Sequence, residues 1–240
     1  MVACVIQSSK PGWGLNTQPG TWISERCDTS IPYPEGAFQR EDDSDDRLFY
    51  TDPRLVVHID DEAIATVSRI FQSFVPARST VLDLMSSWRS HWPQGHLKER
   101  LVGLGMNAQE MADNPDLDEY VVRDVNLDPT LPFEDESFDA VVITVSAQYL
   151  TSPVEVFREV NRTLRPGGVF IVTFSNRMFP TKAVRIWRLA SDQGRMDIVS
   201  SYMESAGNFD NIRGGLANSE ESPPSDPLFA VVSNKTGGAE

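Results

Sequence analysis

The central part of the chain alternates short apolar runs with segments of helical periodicity. The apolar runs carry few charges and cover residues 81–84, 101–104, 120–122, 138–145 and 169–174. Such runs are typical of strands that are buried on both faces of a sheet. Between the last two runs, Pro153 opens the segment PVEVFREVNRTL, whose apolar side chains fall on one stripe of a helix. Strands that alternate with helices predict an α/β fold with a mostly parallel sheet.

Further elements are predicted on both sides of this core. Apolar side chains at helical spacing follow the acidic turn at Asp60 and end before Pro76, which predicts a helix there. Beyond the fifth strand, Pro180 is expected to open a helix that runs to about Ala190. A second helix is expected over residues 194–206, with Gly207 as its C-terminal stop. Two closing strands are predicted over residues 209–213 and 228–233.

The first 48 residues have a different composition. They contain prolines at positions 11, 19, 32 and 34, several glycines and an acidic run from Glu41 to Asp46. This composition resists regular structure. We therefore expect two parts: an irregular N-terminal arm or lid over residues 1–48, and one folded domain over residues 49–240.

Net charge narrows the choice of partners. The chain has 35 acidic and 21 basic residues, a formal charge of -14, which repels phosphate backbones and anionic membrane surfaces. We therefore expect neither nucleic acid nor membrane as a partner. Four basic residues near one predicted helix are interpreted as its solvated face: Arg177, Lys182, Arg185 and Arg188.

The spacing of the cysteines bears on metal binding and disulfide bonds, and the length of the apolar stretches bears on the cellular location. Cys4 and Cys27 have no CxxC spacing and no second pair, so neither a metal site nor a disulfide framework is indicated. The opening apolar run is too short for a signal peptide. The longest apolar stretch, residues 140–145, is far below the roughly 20 residues that span a bilayer. A cytoplasmic location is the expectation.

One long run carries a resemblance to a known family. The run VVRDVNLDPTLPFEDESFDAVVITVSAQYLTSPVEVFREVNRTLRPGGVFIVTFSN is similar to the class I S-adenosylmethionine-dependent methyltransferases, particularly the small type 11 group. The resemblance covers about residues 60–235. It implies a Rossmann-like sheet of seven mostly parallel strands with an antiparallel last strand, S-adenosylmethionine as cofactor and an enzyme that methylates a small molecule. It also implies that Asp124 bonds the adenine amino group, with Val125 beside it.

The predicted sheet also indicates where a ligand such as this cofactor would bind. In an open doubly wound sheet, ligands bind outside the carboxyl ends of the strands, where the strand order reverses. Five residues fall at or near predicted carboxyl ends and are expected to lie together: Asp83, Gly105, Asp124, Ser146 and Ser175. Asp124 is also a residue type that caps turns, and Ser175 could be a plain loop residue.

The loop after the first strand departs from the family pattern. The family has an acidic residue followed by alternating glycines, whereas this chain reads DLMSSWRSH. Asp83 keeps the acidic position, but Met85, Ser87 and Arg89 stand in place of glycines. Ser86 and Ser87 are expected to restore hydrogen bonds to the cofactor, and Trp88 to supply a flat apolar wall. The alternative is that Met85 and Trp88 plug an unused pocket.

The end of the second strand departs as well. Gly105 stands where the family has an acidic residue that bonds the ribose hydroxyls. Asn107 and Glu110 are the candidate substitutes, and Met106 is expected to pack against adenine. Without a glycine-rich turn a dinucleotide has no amide cradle, so a nicotinamide-dependent reductase is disfavoured.

Acceptor and catalytic residues are predicted from position. His58 and Tyr149 are the catalytic candidates, since histidine titrates near neutral pH and His58 precedes the first helix, which in this family often covers the pocket. Gln148, Asn176 and Arg177 follow the fourth and fifth strands, where the family's acceptor rests. Two alternatives to an enzyme on small molecules stay open, a non-catalytic binding module and a methyltransferase for basic proteins. The acceptor and the oligomeric state are not indicated.

Overall fold

Seven strands form one sheet in the computed structural model, which describes residues 33–218 and 225–237. In chain order they are β1 (Ser79–Leu84), β2 (Lys98–Gly105), β3 (Glu119–Val122), β4 (Phe138–Thr144), β5 (Leu164–Ser175), β6 (Phe209–Leu216) and β7 (Leu228–Lys235). Their order across the sheet is β3-β2-β1-β4-β5-β7-β6. The neighbours from β3 to β5 pair in parallel, and β7 pairs antiparallel with β5 and β6. The predicted Rossmann-like sheet with an antiparallel last strand is confirmed.

Six helices accompany the sheet in the described residues. They are α1 (Asp46–Phe49), α2 (Asp61–Phe74), α3 (Ala108–Ala112), α4 (Pro153–Thr163), α5 (Arg185–Leu189) and α6 (Asp192–Ala206). The side chain of Asp60 accepts from the Ala63 amide at 2.9 Å, which begins α2 where its acidic turn predicts. Gly207 ends α6 with a φ of 79°, the left-handed conformation that favours glycine.

The core lies on both faces of the sheet. On one face α2 packs through Val67 and Phe71 against a set of buried strand residues that includes Val81. On the other face α4 and α6 pack against a set that includes Leu82. Since these neighbours in β1 are buried on opposite faces, the strand has no polar alternation in its sequence.

The helix predicted to start at Pro180 is wrong. Residues 180–183 form a turn, and α5 begins only at Arg185. The backbone amides of Arg185 and Ile186 donate to Gln39 and Ala37 carbonyls, both at 2.8 Å, instead of continuing a helix from Pro180. Pairing with the N-terminal segment therefore outweighs the local helix signal.

The N-terminal segment is only partly described. Both cysteines lie outside the described residues, as do the prolines at positions 11, 19 and 32. From residue 33 onward the chain packs on the domain: Ala37 and Asp46 are buried, and a turn and α1 give part of it regular structure. The division into an arm over 1–48 and a domain over 49–240 stays a prediction.

Candidate functional site

A cavity of about 310 Å³ opens at the carboxyl edge of the sheet. It is lined by the residues that end or follow the first four strands, by parts of the segment 46–58 and by residues 177–179. The strand order reverses between β1 and β4, which is where open α/β sheets bind ligands. The volume lies in the range of small-molecule sites, roughly 300 to 1,000 Å³.

The loop after β1 is held by side-chain hydrogen bonds. Asp83 is fully buried, and its Oδ2 accepts from the hydroxyls of Ser86 and Ser90, both at 2.6 Å. The side-chain amide of Asn114 donates to Ser90 Oγ and to the Ser87 carbonyl, both at 2.9 Å. Burial raises the pKa of Asp83 to about 6. Asp83 therefore positions the loop, and it does not line the cavity as a cofactor ligand would.

Two side chains of this loop take unexpected roles. Met85 stands where the family has glycine and keeps a left-handed backbone, with a φ of 61°. Trp88 lies outside the cavity, where its indole Nε1 donates to the Val56 carbonyl at 2.9 Å. The guanidinium of Arg89 stacks on its ring at 3.9 Å. The expected apolar wall for the cofactor is therefore absent among the described lining residues.

Gly105 and the β1 loop approach each other closely. The Ser86 amide donates to the Leu104 carbonyl at 2.8 Å, which brings the loop onto the end of β2. A Cβ on Gly105 would lie 2.2 Å from the Ser86 carbonyl oxygen, closer than any real contact. The two departures from the family pattern are thus one structural change, because the path of the first loop forbids any side chain at position 105.

An acidic side chain reaches the cavity from α3 instead. Glu110 is buried at 6% exposure and lines the cavity. Its Oε1 accepts from the Arg54 amide at 2.7 Å, and its Oε2 accepts from Ser87 Oγ at 2.6 Å. The Asn107 side chain is already used: Oδ1 caps α3, and Nδ2 donates to the Tyr50 carbonyl at 3.0 Å. Of the two substitutes for the missing acid, Glu110 is the better placed.

Asp124 follows β3 and lines the cavity. Its Oδ1 accepts from the amides of Asn126 at 2.9 Å and Leu127 at 3.3 Å, the turn-capping role that the residue type suggests. Its Oδ2 makes no hydrogen bond among the residues that the structure describes, and Asp124 lines the cavity. Turn capping and ligand binding are thus compatible here, with one oxygen for each.

The segment after β4 combines strain with burial. Val145 has a φ of 50°, which is unusual for a β-branched residue, and it lines the cavity with Ser146. Gln148 is fully buried and lies outside the cavity; its Nε2 donates to the Val145 carbonyl at 2.9 Å. Gln148 therefore supports the strained turn, and its predicted contact with an acceptor stays a prediction. The Tyr149 hydroxyl accepts from the Phe179 amide at 2.9 Å, and burial raises the pKa of Tyr149.

The far side of the cavity joins the β5 exit to the segment before α2. Arg177 lines the cavity, but its Nε donates to Asp226 Oδ1 at 2.8 Å, whereas Asn176 is exposed and outside the cavity. His58 contacts the Phe179 ring edge to face at 5.2 Å. Partial burial lowers the pKa of His58, so its imidazole is neutral at neutral pH.

A buried ion cluster holds Asp46 of the N-terminal segment in the wall of the cavity. Asp46 is 4% exposed and lines the cavity; Arg40 Nη1 donates to both its oxygens at 2.8 and 2.7 Å. Lys182, 1% exposed, lies 3.1 Å from Asp46 Oδ1 and 3.1 Å from Asp42 Oδ2. Asn126 donates to Asp46 Oδ2 at 3.0 Å. The interpretation of the basic residues as one solvated helix face is therefore wrong, because Lys182 pairs with the acidic run.

Eleven of the predicted site residues line the cavity, namely His58, Ser86, Ser87, Gly105, Met106, Asn107, Asp124, Val125, Ser146, Tyr149 and Arg177. Four do not: Asp83, Trp88, Gln148 and Asn176. Others line it without having been predicted, among them Asp46, Tyr50, Arg54, Arg123, Asn126, Thr144, Met178 and Phe179. The sequence contains a signal for the N-terminal lining residues, because an acidic run and a basic cluster of similar size can form ion pairs.

Residues 33–218 and 225–237 carry neither a metal-binding cluster nor a helix that could span a membrane. That part of the chain holds no group of three or more histidine, cysteine, aspartate or glutamate side chains arranged to bind a metal ion. None of its helices has the length and apolar character needed to cross a membrane.

Comparison with known proteins points to one family. Residues 97–172 match the family described as a methyltransferase domain. The biotin biosynthesis bifunctional protein BioHC of Teredinibacter turnerae is 27% identical over 123 residues, which are 48% of this chain and 22% of that protein. The fatty-acid O-methyltransferase of Mycolicibacterium smegmatis is 31% identical over 148 residues, 61% of this chain and 44% of that protein. The chain thus spans less than half the length of these curated relatives.

Solved structures extend the likeness in fold. The crystal structure of the cyclase SpnF is similar with a TM-score of 0.55 and 14% identity, over 73% of this chain and 82% of that one. At this identity the likeness concerns the fold alone. A protein named as a cyclase therefore shares the sheet architecture, which means that the fold does not by itself dictate the reaction.

Proposed function

We propose that this chain, which belongs to the class I S-adenosylmethionine-dependent methyltransferase superfamily, is an enzyme that binds S-adenosylmethionine in the cavity and methylates a small molecule. The observation that carries the proposal is the cavity itself, which lies at the reversal of strand order and is lined by Asp124 with an oxygen free for a ligand. The cytoplasmic location and the absence of nucleic acid and membrane partners stay predictions.

Unpaired polar atoms support a polar ligand at this site. Thr144 Oγ1, Arg54 Nη1 and Arg123 Nε are buried and have no hydrogen-bond partner among the described residues. All three residues line the cavity. Since leaving a buried polar atom unpaired costs about 1 to 3 kcal/mol, a ligand that pairs with these atoms gains that energy.

The lining residues suit the parts of S-adenosylmethionine. Asp124 Oδ2 would accept from the adenine amino group, and Met106 would pack on the ring. Glu110 would accept from the ribose hydroxyls, since Gly105 leaves no side chain at the strand end. When bound, the cofactor supplies a methyl group on a positively charged sulfur. The residues of this chain contribute position and exclusion of water.

The acceptor side is lined by the N-terminal segment and by residues after β4 and β5. Tyr50 and Phe179 give it aromatic surface. A buried ion pair favours a small acceptor over a folded protein, because Lys182 holds Asp46 in the wall of the cavity. The name of one relative, a fatty-acid O-methyltransferase, agrees with a small-molecule acceptor.

A second function, a non-catalytic binding module, is favoured by one observation. The hydroxyls of Ser86 and Ser87 donate to Asp83 and Glu110 inside the protein, so they do not replace the amides of a glycine loop as donors to a cofactor. Methyl transfer from radiolabelled S-adenosylmethionine distinguishes the two, because a module that binds the cofactor without turnover transfers no label.

Isothermal titration with S-adenosylmethionine and S-adenosylhomocysteine tests the proposal, using Asp124→Asn as the variant. Asparagine keeps the oxygen that caps the turn but replaces the free oxygen by a donor, which cannot accept from an amino group. We expect the dissociation constant to rise by roughly 10- to 100-fold, as for loss of a hydrogen bond to a charged group. Asp135→Asn, an exposed partner of Arg162, is the control and should change nothing. Absence of binding to the unchanged chain at millimolar cofactor would refute the proposal.

A further inference from the structure

Of the described carboxylates that line the cavity, two are engaged by protein groups and the third is assigned to the cofactor. Asp46 is paired with Arg40 and Lys182, and Glu110 accepts from the Arg54 amide and from Ser87. Asp124 caps a turn with one oxygen and is assigned to the cofactor with the other. Carboxylate oxygens that already accept from these partners are less available to take a proton from an acceptor. Removal of a proton from an alcohol or amine acceptor therefore has poor support from these side chains.

The tyrosines at the cavity are proton donors. Burial, with a contribution from Tyr149, raises the pKa of Tyr50 well above its ordinary value, and burial raises that of Tyr149. Both side chains therefore stay neutral at neutral pH and cannot accept a proton as phenolates. Because the Tyr149 oxygen already accepts from the Phe179 amide, its own proton is left to donate.

Arg54 adds a positive charge with one unpaired nitrogen. Its guanidinium lies 4.1 Å from the centre of the Phe49 ring and 5.5 Å from that of Phe179, and its Nη2 donates to the Phe49 carbonyl at 2.7 Å. Its Nη1 is buried without a partner among the described residues. A cationic acceptor next to this group would be repelled, whereas a carboxylate would pair with it.

We propose that the acceptor is a carboxylic acid with an apolar body, bound as the carboxylate by Arg54 and by the hydroxyls of Tyr50 and Tyr149, and methylated on a carboxylate oxygen. This inference rests on the proposed function. A lone pair of the carboxylate oxygen forms the new bond to the methyl carbon. The carbon–sulfur bond breaks with its electron pair going to sulfur, which leaves a methyl ester and S-adenosylhomocysteine. No proton moves, so the step needs no base, and the aromatic rings of Tyr50 and Phe179 receive the apolar body.

Matched probes test the class of acceptor. The full chain is incubated with S-adenosylmethionine labelled in the methyl group and with octanoic acid, 3-phenylpropionic acid, and the amine and alcohol of the same two skeletons. The product expected from the acids is a methyl ester, which releases labelled methanol on base hydrolysis. We expect label in the acids alone. Label in an amine or alcohol instead would overturn the proposal, as would unlabelled acids when titration shows that the cofactor binds. Failure of the cofactor to bind would refute the proposed function itself.

Variants separate the acceptor from the cofactor. Tyr149→Phe and Arg54→Gln should each lower kcat/KM for the labelled acid by roughly 10- to 100-fold, the effect of losing a hydrogen bond to a charged group. The dissociation constant for S-adenosylmethionine should stay within about threefold, with Tyr33→Phe, whose hydroxyl bonds Ser201, as the control. A matching loss of cofactor affinity would mean that these side chains hold the carboxylate of the cofactor, and it would overturn the proposal.

The dependence of the methylation rate on pH provides a further test, because a residue that only positions the acceptor would not change the shape of that dependence. His58 is the one histidine among the described lining residues, and burial lowers its pKa. Since an acid acceptor is already ionised, the rate of its methylation should be flat from about pH 6 to 9, and the profile should have the same flat shape in His58→Ala. A rate that rises through the pKa of a histidine, with that rise lost in His58→Ala, would show that a base removes a proton and would overturn the proposal.

Discussion

The loops after β1 and after β3 leave the same edge of the sheet, and each is associated with an aspartate, but the two aspartates act differently. Asp83 is fully buried, and one of its oxygens accepts from Ser86 and Ser90. Asp124 is half-buried, lines the cavity and caps its turn with Oδ1, while its Oδ2 has no hydrogen bond among the described residues. An aspartate at a strand end is therefore not always a ligand. Its burial and its local hydrogen bonds determine whether one of its oxygens stays available.

The difference follows from what each loop uses to stabilise itself. The β3 loop closes through backbone amides, so its aspartate keeps one oxygen for a ligand. Residues 85–91 of the β1 loop contain no glycine, and this segment takes the side chain of Asp83 for its own support. This support places the Ser86 carbonyl against Gly105, which moves the acidic lining group from the strand end to Glu110. One change of loop path thus accounts for both departures from the family pattern.

The largest effect is expected from Gly105→Ala, which breaks the fit between the β1 loop and β2. The new Cβ would lie 2.2 Å from the Ser86 carbonyl oxygen and 3.1 Å from Met111 Sδ, so the loop must shift. We expect the free energy of unfolding in urea to fall by about 2 to 3 kcal/mol, as for an overpacked core site. Gly237→Ala, with open space around its Cβ, is the control. A fall below about 0.5 kcal/mol would show that the loop yields freely.

Asp83→Asn tests the buried aspartate through pH. The pKa of Asp83 is raised from 3.8 to about 6, so the folded protein holds a proton that the unfolded chain has released. The free energy of unfolding should therefore fall as the pH rises from about 4 to 6, by up to about 3 kcal/mol at 1.36 kcal/mol per unit. Asparagine, which does not ionise, should remove this fall, whereas Asp135→Asn should retain it. Equal slopes in Asp83→Asn and the unchanged protein would contradict a protonated Asp83.

The elements of the sheet could be predicted from sequence because burial on both faces leaves uninterrupted apolar runs. The runs at 81–84 and 169–174 correspond to β1 and β5. The start of α5 could not be predicted, since the amide of Arg185 pairs with Gln39, far away in the chain. Local propensity carries no information on such a partner.

Residues of the candidate site could be predicted where their place at a strand end brings them to the cavity. They could not be predicted where a hydrogen-bond or ion-pair partner determines the position of the side chain. Asp124 and Ser146 reach the cavity because they follow strand ends. Trp88 and Gln148 follow strands too, but their side chains donate to the carbonyls of Val56 and Val145. The contribution of Asp46 depended on ion pairs across the fold, which composition does not fix in space.

The smallest effect is expected from Met85→Gly, which restores the family's residue at a position that already has the family's backbone. Methionine at a φ of 61° carries strain of roughly 1 to 2 kcal/mol that glycine avoids. Glycine loses more entropy on folding, by roughly 0.5 to 1 kcal/mol, and the half-buried Met85 loses apolar contact with the core. These terms nearly cancel, so unfolding free energy should change by less than about 1 kcal/mol.

Cofactor affinity then distinguishes two kinds of β1 loop. An adapted loop still admits the cofactor, whereas the side chains of a blocked loop fill the cavity. In an adapted loop Met85→Gly should leave the dissociation constant for S-adenosylmethionine within about threefold, because its backbone path is unchanged. Ser87→Gly, the matched variant, should weaken binding by about three- to tenfold, since Ser87 Oγ orients Glu110 at 2.6 Å. If Met85→Gly instead raised the affinity tenfold or more, its side chain would be an obstruction in the cavity. The β1 loop would then block the cavity, and this result would favour the non-catalytic function over the enzyme.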